Sequence, residues 1–182
     1  MSSVLSKKKI YKKIQGEIPD NFRDYFAKSG DEDLFTSFQN QEEELNILIR
    51  SISEKKSTYR YAVGKWTLKE LLQHLIDTER IFAYRSLAFA RHDPNTLHSF
   101  DENLYADMSN ANDRTWEGLV KEFMVSRKSI VLLFDSFSED ALSAVGNASN
   151  YSAGVTTMGF VIIGHANHHI RIIKERYLDS SN

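Results

Sequence analysis

The sequence predicts an all-α protein built as a four-helix bundle. Three observations carry that prediction. Four stretches of about 20 residues place apolar side chains three and four positions apart, no stretch alternates apolar and polar residues as a half-buried strand does, and two connections are much longer than turns. At 1.5 Å per residue such helices run about 30 Å, and long connections are what a bundle needs when consecutive helices do not simply reverse.

The first helix spans about residues 34–53, where Leu34, Phe35, Phe38, Leu45, Ile47, Leu48 and Ile52 supply the apolar positions and the acidic stretch 41–44 the wet side. Gly64 and Lys65 lead into the second, whose start is marked by Thr67 with Glu70 three residues later, the pattern of a capping box. This helix runs to about His92 and stops before Pro94, because a proline disfavours helix in the residue ahead of it. Residues 93–112 are rich in Asn, Asp, Ser and His, and a connection of that length inside a compact domain is often functional. The third helix covers about residues 114–137, with Trp116, Leu119, Val120, Phe123, Ile130, Leu132, Leu133 and Phe134 as its apolar positions. A second long loop, SEDALSAVGNASNYSAG, precedes the fourth helix at about residues 155–178. Residues 1–32 read as an N-terminal extension or strap with a short helix around Phe22 to Phe26, and 33–180 as the bundle domain.

A chain of 182 residues with 41% hydrophobic and 26% charged residues is long enough for one domain with a real core. No apolar run approaches the length of a transmembrane helix. The opening MSSVLSKKKIYKKI has no apolar stretch behind its lysines, so a cytoplasmic, membrane-free protein is expected. The absence of cysteine removes disulfides, thiolate metal sites and cysteine nucleophiles, so any metal must be held by nitrogen and oxygen. A net charge of -2 gives no electrostatic reason for a nucleic-acid partner. The local exception, Lys7, Lys8, Lys9, Lys12 and Lys13 around Ile10 and Tyr11, reads as a solvated terminal segment.

The chemistry concentrates in GHANHH, residues 164–169, which holds three of the six histidines. His165 and His169 stand about 40° apart on one helix face. Met158, Val161, Ile162 and Ile172 share that face, so both rings point inward. One histidine on an apolar face is most often a hydrogen-bonded core residue. Two buried imidazoles side by side, each wanting partners, point to a shared ligand as readily as to two packed polar groups. The alanine after the first histidine leaves out the glutamate of the H-E-x-x-H zinc proteases. His168, about 100° round from His169, falls to a supporting or surface role.

His74 lies mid-helix among Leu71, Leu75 and Thr78 and supplies a third nitrogen. Three nitrogens with open positions make the arrangement of a catalytic rather than a structural metal. Asp77 and Glu70 stand one turn to either side of His74, where a carboxylate can take a ring N–H or act on a bound water. Asp77 is the catalytic candidate, and an ordinary helix-face charge is the alternative for both. Glu79 and Arg80 are read as bundle salt bridges, and His98 as an exposed loop histidine or an extra ligand or acid.

WTLKELLQHLIDTERI from Trp66, FDENLY at 100–105, Arg114 with Trp116, and GFVIIGHANHHIRIIKERYL at 159–178 together resemble the DinB-like (DinB/YfiT) superfamily, in order over about residues 33–178. The resemblance implies a bundle of up-down-down-up order with long crossover loops and a divalent metal on His74, His165 and His169. It also implies relatives that include transferases using low-molecular-weight thiols. On this reading the chain is a metal-dependent transferase or hydrolase. Zinc, nickel, iron or manganese on three imidazoles would activate a thiol or water, with Asp77 orienting or deprotonating. The small-molecule substrate, a low-molecular-weight thiol among the candidates, would enter beside His98, Phe100, Asp101, Asn103 and Tyr105. The alternatives are a non-catalytic bundle holding a metal or small ligand in a stress response, and a structural bundle whose histidines are core polar groups. A homodimer is compatible with the aromatic content of 12%.

Overall fold

The computed structural model describes residues 18–178. A 3-10 turn, Asp20–Phe22, leads into the short helix α1, Arg23–Ala27, and the bundle begins with α2, Leu34–Arg50. A single turn, α3, Glu54–Ser57, separates it from α4, Leu68–Ala90. After α5, Glu102–Met108, come α6, Trp116–Asp135, and α7, Glu139–Ser143. Two strands, β1, Val145–Ala148, and β2, Tyr151–Gly154, precede α8, Val155–Ile172, which continues as a π-helical segment, Ile173–Leu178.

Side-chain caps fix the starts of α2, α4 and α6. Asp33 accepts from the backbone N–H groups of Phe35 and Thr36 ahead of α2, and Thr115 accepts from that of Gly118 in α6. At α4 both arms of the capping box form: the Thr67 hydroxyl accepts from the Glu70 N–H, and the Glu70 carboxylate accepts from the Thr67 N–H at 2.6 Å.

Each of α2 and α4 packs against both α6 and α8, so α2 and α4 occupy opposite corners. Contacts along the helices give the directions. Gln41 meets Asn167 and Glu44 meets Lys174, so α2 and α8 run parallel. Gln73 near the start of α4 meets Arg114 just ahead of α6, and Glu79 further along meets Arg127, so α4 and α6 run parallel. Phe38 packs on Phe134 while the Trp116 indole donates to the Ile49 carbonyl, so α2 and α6 are antiparallel. The chain order is therefore up-down-down-up.

Because α4 and α6 are parallel, residues 91–115 must return along the bundle, and α5 lies on that path. The connection 136–154 has a different character from the loop expected there. It carries α7 and an antiparallel hairpin pairing Val145 with Gly154 and Ala148 with Tyr151, closed by Ser149 at φ 54. Four-residue strands of small and polar residues are too short to show a period of two. The hairpin sits against α4 through Gly146, where a Cβ would fall 2.0 Å from a Phe89 ring carbon. It also ties to the crossover, since Leu97 donates to the Asn147 carbonyl and accepts from the Ser149 N–H. The second helix ends at Ala90 rather than His92, which turns to φ 55.

The core falls into two apolar clusters, one including Leu34, Phe38, Phe82, Phe134 and Val161, the other Leu45, Leu72, Leu75, Phe123 and Ala166. Between them every long helix carries a buried polar residue: Gln41, Glu79, Arg127 and His165. The site lies in that layer. No helix among the described residues is long and apolar enough to cross a membrane, and the N-terminal lysine run lies outside the described residues.

Candidate metal centre

The short helix α1 lies directly across α8 because position 164 is glycine: a Cβ there would stand 1.6 Å from the Tyr25 carbonyl oxygen. That close approach places the Tyr25 ring edge-on to His165, centroids 5.1 Å apart. His165 and His169, one turn apart on α8, face His74 from the antiparallel α4. The Nε2 atom of His165 lies 3.1 Å from that of His74 and 3.2 Å from that of His169. One ligand atom from each of the three lies within 4.8 Å of the others. Two nitrogens on a tetrahedral zinc-like ion at 2.0–2.1 Å stand about 3.3 Å apart, close to these separations.

All three rings are buried, 5%, 4% and 7% exposed for His74, His165 and His169. Burial, with a smaller contribution from His168, lowers the His74 pKa to about 4. Burial likewise holds His165 and His169 well below the usual imidazole value, assisted by their neighbouring histidines. The rings therefore stay neutral, the state in which imidazole is a ligand. If they were only packed polar groups, His165 Nε2 would have to serve two ring nitrogens at once. The Nδ1 atoms of His165 and His169 are buried and make no hydrogen bond in the protein. A cation held by the three Nε2 atoms would take one lone pair from each, so that His165 Nε2 no longer has to serve two ring nitrogens. His74 is further positioned by Trp66, whose ring lies 4.8 Å away, and by a long 3.5 Å contact from its Nδ1 to the Thr78 hydroxyl.

A cavity of about 270 Å³ reaches His165, walled by the N-terminal segment through Phe22 and Tyr25, by α4 through Thr78, Phe82 and Arg85, by the crossover through Phe100 and Glu102, and by the hairpin through Tyr151.

A family model described as the DinB superfamily matches residues 37–173. The chain belongs to the DinB superfamily. Among solved structures it is similar to YfiT from Bacillus subtilis, described as a probable metal-dependent hydrolase with an unusual four-helix bundle topology, at a TM-score of 0.67 and 12% identity over 91% of each chain. At that identity the likeness is one of fold. No curated protein sequence matches the chain.

Within this DinB-superfamily bundle, His74, His165 and His169 come together as the sequence indicated. The other candidates stand elsewhere. Asp77 accepts a hydrogen bond from the Gln73 amide at 2.9 Å and pairs with Arg80 at 3.8 Å, so its contacts lie with the α4–α6 polar cluster and none with the histidines. Burial raises its pKa, opposed by the Gln73 hydrogen bond and by Arg80. Glu70 is absorbed by the capping box and by a hydrogen bond from the Asn112 amide. His168 is half-buried against Tyr25 and His169. The His98 ring is exposed, and its carbonyl accepts from Arg85. Glu79 and Arg80 form the expected ion pairs, to Arg127 and Glu122.

Sequence reasoning did not single out Tyr25, Arg85 and Tyr151 as site residues. Tyr25 and Tyr151 lie on other elements and Arg85 is about three turns from His74 along α4, so no one-turn spacing ties them to a histidine, and only folding brings the strap, the crossover and the hairpin to one cavity.

Proposed function

We propose that this DinB-superfamily chain is a metal-dependent enzyme in which His74, His165 and His169 hold one divalent transition metal, zinc, nickel, iron(II) or manganese, beside a small-molecule cavity. The observation that carries the reading is the meeting of three buried, neutral imidazoles whose ligand atoms lie within 4.8 Å of one another. Such an ion, when bound, supplies Lewis acidity that makes water or a thiol nucleophilic near neutral pH.

The chain's own residues set the surroundings. Trp66 and Phe82 shield His74 and His165 from solvent. Burial, and the nearby Glu102 and Asp24, raise the Tyr25 pKa, so its phenol keeps its proton and is a potential donor to a bound molecule in the cavity it lines. The description of YfiT as a probable hydrolase favours water as the nucleophile, while the family resemblance admits a low-molecular-weight thiol and an S-transferase. Asp77 is proposed to act through the Gln73 network.

Elemental analysis of protein purified without a nickel column tests the reading, beside His74→Ala and His169→Ala. About one transition metal per chain in the parent, lost from both variants, is expected. A parent that stays empty after incubation with zinc, nickel, manganese and anaerobic iron(II) removes it. For loaded protein, ester hydrolysis with and without added thiols then separates hydrolase from transferase.

A further inference from the structure

Arg85 lies about three turns beyond His74 on α4 and is 4% exposed. One terminal nitrogen donates to the Tyr151 hydroxyl at 2.7 Å and the other to the His98 carbonyl at 2.8 Å. Three aromatic rings surround the guanidinium, with the centroids of Tyr151, Phe82 and Phe100 at 5.7, 5.9 and 5.9 Å. No carboxylate of the described residues lies within ion-pair distance of it.

A buried cation with neutral partners only is unusual, because removing an ion from water costs several kcal/mol unless an opposite charge compensates. The other fully buried guanidinium follows that rule: Arg127 is held by the Glu79 carboxylate and the Gln41 amide. Tyr151 does not serve Arg85 as a phenolate, since burial raises its pKa despite the attraction of the guanidinium. Arg85 thus presents an uncompensated positive charge to the cavity that also reaches His165.

We propose that Arg85 binds the carboxylate of the substrate, a small organic anion whose opposite end lies at the three histidines. The placement of the reacting end rests on the metal reading above, whereas the anion site rests on Arg85 alone. A carboxylate suits the site better than a phosphate. Arg85 is the one cation lining the cavity among the described residues, a planar monoanion matches a single guanidinium fork, and Glu102 on the same wall disfavours a second negative charge. The aromatic rings and the cavity of about 270 Å³ fit a short apolar stem behind the carboxylate.

Calorimetric titration of hexanoate and hexanamide into metal-free protein provides the test, with Arg85→Gln, Arg85→Lys and Glu102→Gln as variants and inorganic phosphate as a competitor. Hexanoate is expected to bind at least about tenfold tighter than hexanamide, the scale of one charge-assisted pair. That preference should vanish in Arg85→Gln, persist in part in Arg85→Lys, and grow several-fold in Glu102→Gln. Equal binding of acid and amide by the parent overturns the proposal without needing any variant to fold. So does a preference that survives Arg85→Gln in protein of unchanged circular dichroism. Phosphate binding tighter than hexanoate overturns the assignment to a carboxylate. A preference that appears only after zinc loading and ignores Arg85 places the carboxylate on the metal, rejecting the anion site and keeping the metal reading. An Arg85-dependent preference in protein that never takes up metal supports the anion site and rejects the metal reading.

Discussion

His165 and Asp77 show how far a single residue can be read from a sequence. The i, i+4 relation of His165 and His169 fixes a shared face whatever the rotamers, and the apolar residues on that face fix its direction, so the pair was legible. His74 was legible because it interrupts an apolar stripe. The position of Asp77 relative to His74 depends on side-chain direction and on partners from α6, which periodicity does not contain, and its carboxylate engages Gln73 and Arg80. Asp77→Asn is therefore expected to leave metal content unchanged and to reduce kcat by less than about tenfold. General-base catalysis contributes about 100-fold or more. A loss of that size at constant metal content, with a changed pH–rate profile, would make Asp77 the base after all. Arg85 was invisible for a plainer reason: its burial is created by Tyr151 and the His98 carbonyl, and neither contact is local.

Among the elements, the four long helices were legible because each carries a 3.6-residue apolar period, and the Thr67–Glu70 box at the start of α4 formed as written. The hairpin was not, because its fit depends on Gly146 meeting Phe89, a tertiary constraint absent from local pattern. The polar layer was seen only in part. Glu79 and Arg127 join α4 to α6 at 1% and 0% exposure, and Gln41 extends the link to α2. Burial raises the Glu79 pKa while Arg127 opposes that shift, so the pair is held by mutual compensation. Replacing one partner leaves the other charge buried alone, and Glu79→Gln is expected to destabilise the protein by about 3–5 kcal/mol in urea unfolding. The double change Glu79→Leu with Arg127→Met removes both charges and should recover most of that loss. If the double variant is as unstable as the single one, the layer acts through packing, not through charge.

For the molecule as a whole, the two sides of this layer differ in a way that pH exposes. Arg127, Glu79 and Gln41 satisfy one another, whereas no charged side chain of the described residues is shared among the three imidazoles. The metal-free fold must hold them neutral: His74 at about 4 and the other two well below their usual value, in each case chiefly by burial. The unfolded chain takes up protons on these groups below about pH 6.5, while the native state does not. Stability of the metal-free protein is therefore full above that value and falls as pH drops from about 6.5 toward about 4. Where the unfolded chain binds a proton that the native state does not, each histidine contributes up to about 1.4 kcal/mol per pH unit, a sizeable part of a typical domain's 5–15 kcal/mol. Urea unfolding of chelator-treated protein at about pH 7.5, 6 and 5 measures the slope, and His74→Gln, compared at each pH, separates the histidine from the carboxylates that titrate lower. The variant should show a shallower decline than the parent. Saturating zinc should raise the unfolding midpoint at pH 7.5 and lose that advantage near pH 5, because protons and metal compete for the same nitrogens. Parallel curves for parent and variant, with no effect of zinc at any pH, would mean that the rings are not held as buried neutral ligands.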